Sequence, residues 1–148
     1  MDEANRVYMS YATDAELIVQ LNELLEAERA GTRVAMHSHR DDRSRNAAEF
    51  LKRLARDEAA CCTMLARHVA ALGGRVSSGV GNFYESAMSI ADLDLRLAFI
   101  NRGQGWVVRR LKEMLPKVKC DELHADLTEM LRTHEKNITT TNRLLGNF

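Results

Sequence analysis

Apolar residues recur at intervals of three and four along four stretches of the chain, the period of helices that bury one face. The first stretch carries Leu17, Leu21, Leu24 and Leu25 and continues on the same face through Glu28, Thr32 and Ala35. The second carries Phe50, Leu51, Leu54, Glu58, Cys61, Leu65, Val69 and Leu72. In the third the stripe is Leu93, Leu97, Ile100, Gln104, Val107 or Val108, Leu111, and Met114 or Leu115. The fourth runs Leu123, Leu127, Met130, Leu131, His134, Ile138, Thr141 and Leu145. Strand-like alternation is missing throughout, and the chain has one proline, Pro116, which suits long uninterrupted helices. The pattern predicts an all-α protein.

Local signals place the ends. Thr13 with Glu16 forms a capping-box spacing that opens the first helix, and the charged run at 40–45 closes it. Asn46 is the expected cap of the second helix, and Gly73 with Gly74 is its stop. Ser89 with Asp92 repeats the capping-box spacing before the third helix, Pro116 closes that helix, and Asp121 caps the fourth. The expected helices cover about 14–39, 46–72, 89–115 and 121–146, within one domain over residues 1–148.

The first and third linkers are short, as in antiparallel neighbours. The second, 73–88, is rich in Gly and Ser and shows no helical period. A helix of about 26 residues is roughly 39 Å long, whereas about 16 extended residues reach roughly 53 Å. The linker can therefore run the length of the bundle and start the third helix at the far end. This predicts two helical hairpins joined by a long crossover; the alternative is a loop on a simple up-down-up-down bundle.

Composition narrows the function classes. Lys plus Arg and Asp plus Glu each total 21, so the net charge is zero, which argues against a nucleic-acid binder. No apolar run nears the roughly 20 residues of a membrane span. The N-terminal residues are acidic and carry no apolar signal segment, so the expectation is a cytoplasmic protein with thiols at Cys61, Cys62 and Cys120.

Each stripe is broken once by a polar residue: Glu28, Glu58, Gln104 and His134. Counted from the predicted turns, Glu28 and Glu58 lie at one height, and so do Gln104 and His134. The chain resembles the ferritin-like, rubrerythrin-related four-helix bundles over residues 13–146. Such bundles take a Glu from helix 1, Glu-x-x-His from helix 2, a Glu from helix 3 and Glu-x-x-His from helix 4. On that resemblance Glu28, Glu58 and His134 fall on ligand positions. Cys61, Gln104 and Leu131 stand where His, Glu and Glu are expected.

A di-iron centre needs more carboxylate than two glutamates supply. What survives implies a polar mid-core layer of Glu28, Glu58, Gln104 and His134 in a non-catalytic binding or structural module without a cofactor. In such a layer protonated His134 neutralises one glutamate, and the Gln104 amide bonds the other. The alternative is a mononuclear metal or redox protein holding zinc, iron or manganese through Glu28, Glu58, Cys61 and His134. Which of Cys61 and Cys62 faces inward is open at this level.

Fainter signals remain. Ile18, Val108 and Trp106 lie off the inner stripe and suggest a homodimer. Gly103 and Gly105 flank Gln104 and point to close approach of a neighbour, or to a kink or π-bulge. His37 and His39 suit a helix C-terminus. Cys120 and His124 share a helix face without a further ligand, and vicinal Cys61 and Cys62 raise a redox role. Tyr8 and Tyr11 are expected to anchor the N-terminal tail.

Overall fold

A computed structural model describes residues 11–41 and 46–146. Its helices are α1 Asp14–His39, α2 Ala48–Ala71, α3 Phe83–Met88, α4 Leu93–Met114 and α5 Asp121–Leu144, with a 3-10 turn at Leu115–Lys117. The four long helices match the four hydrophobic stripes. α1 packs on α2 and α4 on α5, and contacts of α2 with α5 and of α1 with α4 close the bundle.

The linker crosses from one end to the other, and its hydrogen bonds record the path. Gly74 sits against Ile18. Ser77 N–H then donates to Asn22 Oδ1 at 2.9 Å, and Ser77 Oγ donates to Glu26 at 2.8 Å. Arg29 donates to the carbonyls of Ser77 and Gly79, and Tyr84 reaches His37. Advancing along the linker from residue 74 to 84 is advancing along α1 from residue 18 to 37. α4 therefore starts beside the C-terminal end of α1, where Arg96 bonds Ser38. The crossover topology, rather than a simple up-down bundle, is the one adopted.

The ends of the elements refine the sequence reading. Thr13 and Glu16 form the capping box with both reciprocal bonds. Gly73 at φ 80° ends α2; its N–H bonds Ala70 O and that of Gly74 bonds Val69 O, a Schellman pair. Asn46 does not cap α2, whose N-cap position is Ala47 without a side-chain bond. Ser89 does not open α4. Its φ of −71° and ψ of −15° continue the preceding helix as the C-cap of α3, and a box needs an extended cap residue. Asp92 is extended and accepts the Leu95 N–H at 2.9 Å. Asp121 is the first residue of α5 rather than its cap, which is Cys120. Pro116 falls in the 3-10 turn that follows α4.

The crossover also contains α3, which sequence periodicity did not reveal. Six residues are too few to show a helical period. This helix is held by tertiary contact, with Phe83 stacked on Phe99 at 5.1 Å and Ala87 fully buried. Gly103 permits that approach, since a Cβ there would meet the Phe83 ring at 2.9 Å. Close packing therefore accounts for Gly103, and α4 stays α-helical through it.

Two apolar clusters fill the bundle. One gathers Leu17, Leu21, Leu24, Leu65, Leu111, Leu123 and Leu127; the other gathers Val34, Phe50, Leu51, Leu54, Leu97 and Ile100. Burying a leucine stabilises by about 1.5–3 kcal/mol, so these clusters hold the fold. Between them lies a polar layer. No helix among the described residues is long and apolar enough to cross a membrane.

Candidate metal centre

Each long helix sends one polar side chain into the gap between the apolar clusters. Glu28, Glu58, Gln104 and His134 are 1%, 3%, 4% and 1% exposed. Helical spacing places them there, because each occupies a position of the stripe that otherwise carries Leu, Ile or Val. All four inward residues singled out in the sequence are brought together.

The layer is divided into two pairs. Gln104 Nε2 donates to Glu58 Oε1. Across from it, His134 Nε2 lies 2.5 Å from Glu28 Oε1. His134 Nδ1 lies 2.9 Å from the Met130 carbonyl. A carbonyl only accepts, so Nδ1 carries a proton and Nε2 is the atom turned to the site. Nε2 and the Glu28 oxygen form a buried ion pair when the ring is protonated. Beyond that pair, Glu28 Oε2, Glu58 Oε2 and Gln104 Oε1 lack hydrogen-bond partners. Buried polar atoms are seldom left so, and orphaned carboxylate oxygens are the costliest kind.

Electrostatics follow from this burial. The Glu58 carboxyl is held well above the usual carboxylate range by burial, and next by the charge of Glu28; the Gln104 bond opposes the rise. For His134 burial acts downward, but the charge and contact of Glu28 and the Met130 carbonyl outweigh it, and the net shift is upward. Cys61 is buried and Cys62 half-buried, which settles which thiol faces inward. Burial, then the two glutamates, pushes the Cys61 thiol up, and Cys62 rises to about 11, also chiefly through burial. Neither is an activated thiol, contrary to what a redox role for the vicinal pair requires.

One oxygen of Glu28, Cys61 Sγ and a ring nitrogen of His134 lie within 4.8 Å of one another, all three residues buried. Carboxylate, thiolate and imidazole form a donor set that suits zinc and also accepts iron. The set lacks the bridging carboxylates of a two-metal centre. Glu58 borders this trio but is engaged by Gln104, so the structure assembles three of the four residues expected as ligands and sets Glu58 beside them.

Gly31 escaped the sequence reading. A Cβ there would fall 2.1 Å from Glu58 Oε2, so only glycine leaves the carboxylate its place. The signal was available: a glycine in mid-helix costs about 1 kcal/mol relative to alanine, and this one stands three residues after Glu28.

A cavity of about 530 Å³ reaches this layer from the surface. Its floor is Glu28, Gly31, Glu58 and Gln104, its walls include Val80, Phe83, Ile100 and Val107, and Glu23, Trp106 and Arg110 stand at its outer side. Arg110 pairs with Glu23 and lies over the Trp106 ring. Trp106 turns from the core, as expected, and forms part of this opening. Elsewhere, His68, Glu122 and Asp126 also cluster, but Arg67 bonds both carboxylates. Cys120 is exposed at the start of α5. Tyr8 lies outside the described residues; beside Tyr11, the Ala12 N–H bonds the Lys117 carbonyl.

The fold and its mid-bundle layer define a ferritin-like bundle. A crystal structure of ferritin-like, diiron-carboxylate proteins from Bacillus anthracis str. Ames superposes with a TM-score of 0.80 at 20% identity, covering 90% of this chain and 99% of that one. Residues 15–143 match the family described as Domain of unknown function (DUF6306), and the chain belongs to that family. No curated protein matches it in sequence.

Proposed function

We propose that the mid-bundle layer binds a single divalent transition-metal ion, with Glu28, Cys61 and His134 as its protein ligands. The observation that carries this reading is the gathering of buried donor atoms that the protein satisfies only in part. Glu28 Oε2 is orphaned, Glu28 Oε1 faces only His134 Nε2, and Cys61 Sγ lies beside them. A cation satisfies these atoms together and lowers the cost of burying two glutamates.

The surrounding residues have defined parts. The Met130 carbonyl fixes the tautomer and ring orientation of His134. Gln104 holds Glu58 at the edge of the site, and Gly31 leaves that carboxylate room. A bound ion supplies Lewis acidity or, if iron or manganese, electron transfer. The cavity gives a small molecule a route to that ion, which makes the protein a ligand-binding or catalytic metalloprotein. Cytoplasmic residence and a homodimer belong to the same reading. Ile18 and Val108 are largely covered within the chain, so a dimer contact rests on Val19, Leu95 and Trp106, which are exposed.

Cobalt(II) titration of chelator-treated protein tests the proposal. Thiolate-to-cobalt absorption is expected in the wild type and in Cys62→Ser but not in Cys61→Ser; no such band in the wild type excludes Cys61 as a ligand. A second reading is a metal-free layer that sets helix register. It is favoured by the fact that each glutamate already faces one neutralising or donating neighbour. Unchanged thermal stability upon addition of zinc, iron(II) and manganese(II) supports that second reading against the first.

A further inference from the structure

At the end of the bundle where α1 finishes and α4 begins, Arg96 is 5% exposed. A guanidinium is always charged and carries five N–H donors. Arg96 Nε and Nη2 donate to the Ile90 carbonyl at 3.0 and 2.8 Å, and Nη1 donates to Ser38 Oγ at 3.2 Å. Those bonds leave two N–H groups unused, and both acceptors are neutral. Among the described residues no carboxylate forms an ion pair with Arg96, although Arg67, Arg110, Arg132, Lys112, His68 and His134 all have one. A buried cation without an opposite charge is costly.

The same side chain lines a cavity of about 340 Å³, separate from the metal layer though Ile100 borders both. Leu51, Leu97, Ile100 and Leu144 form its apolar side, while Ser38 and Asn46 add polar groups and Asp94 adds one carboxylate. Asp94 is exposed and is not bonded to the guanidinium.

We infer that this cavity binds a small monocarboxylate with an apolar tail, its carboxylate on Arg96 and its tail against the leucines. A planar carboxylate matches the guanidinium fork better than a point anion does. The apolar walls exclude a bare inorganic ion as the preferred occupant, and Asp94 disfavours a dianion. The ligand supplies the charge that no described carboxylate gives Arg96.

Calorimetric titration of the full chain with octanoate, octanol and octylammonium tests the inference. Octanoate is expected to bind at least tenfold more tightly than either analogue and to raise the melting temperature. Arg96→Gln removes the preference for octanoate over octanol. Because that variant also loses the Ile90 bonds and can fail to fold, Asn46→Asp serves beside it. It places a charge at the rim on an exposed turn residue, and is expected to weaken octanoate severalfold more than it weakens octanol. Equal affinity for octanoate and octanol, no binding of any of the three, or an Asn46→Asp variant that binds octanoate as the wild type does would overturn it.

Discussion

The two helical hairpins contribute unequally to the layer between them. α1 and α2 bring both carboxylates, Glu28 and Glu58, together with Cys61, whereas α4 and α5 bring a neutral amide and an imidazole. Packing does not explain the difference, since the four side chains are almost equally buried. The negative charge lies on one side of the core and its hydrogen-bond donors on the other. Such a site suits one ion near Glu28, Cys61 and His134 better than two ions bridged symmetrically.

Removing the donors one at a time probes this asymmetry most strongly. His134→Ala leaves Glu28 buried with no opposite charge and is expected to cost about 3–5 kcal/mol, measured by urea unfolding at neutral pH. Gln104→Leu orphans Glu58 Oε1 and is expected to cost less, about 1–3 kcal/mol, because Glu58 can take up a proton. Equal losses would mean that the hairpins donate equivalently.

Neutralising a carboxylate sharpens the contrast. Since the Glu58 pKa is raised in the fold, Glu58→Gln is expected to stabilise the metal-free protein by about 1 kcal/mol at neutral pH. That gain shrinks as pH falls and the wild-type carboxyl takes up its proton. As a residue beside the ligands, Glu58→Gln is expected to weaken metal binding by about tenfold rather than abolish it. Gly31→Ala separates site from fold: helix content is retained, and metal affinity drops by about 10–100-fold as Glu58 is displaced.

The pH dependence has a fixed sign. Glu58 binds its proton more tightly folded than unfolded, so stability falls as pH rises from the usual carboxylate range towards its folded value. His134 is also raised; its contribution is full below the ordinary histidine pKa of about 6.5 and is lost as pH climbs through the folded value. Metal-free protein is therefore expected to melt at lower temperature at pH 8 than at pH 5.5. Metal stabilises more at the higher pH, where its ligands give up protons readily. A metal-free melting temperature that rises over this interval contradicts both shifts.

The smallest effects concern the thiols. Alkylation of the folded protein is expected to be fast at exposed Cys120, slow at Cys62, and absent at Cys61 until denaturant is added. Mass mapping of the labelled sites checks this order.

Much of the fold could be read from the chain because the apolar stripes of α1, α2, α4 and α5 are long and regular. The layer was legible because Glu28, Glu58, Gln104 and His134 interrupt those stripes at matching heights. Four features depended on tertiary contact and could not be read that way. The choice of Cys61 over Cys62 is a rotation of about 100° along a helix, settled only by how α2 seats on its neighbours. α3 is too short to show a period and forms because Phe83 finds Phe99 and Gly103. The cap of α4 moved from Ser89 to Asp92 because Ser89 had already been claimed by α3. Arg96 gave no signal, because an arginine on a helix is ordinarily solvated, whereas here Ile90 of the crossover and Ser38 of α1 hold it.

The central claim is that one metal ion occupies the layer, held mainly from the α1–α2 side. Elemental analysis of protein purified without chelator, beside the His134→Ala variant prepared identically, tests it most directly. About one zinc, iron or manganese per wild-type chain, lost in the variant, is the expected result. No metal in the wild type even after exposure to each ion, or two ions per chain, would contradict the account.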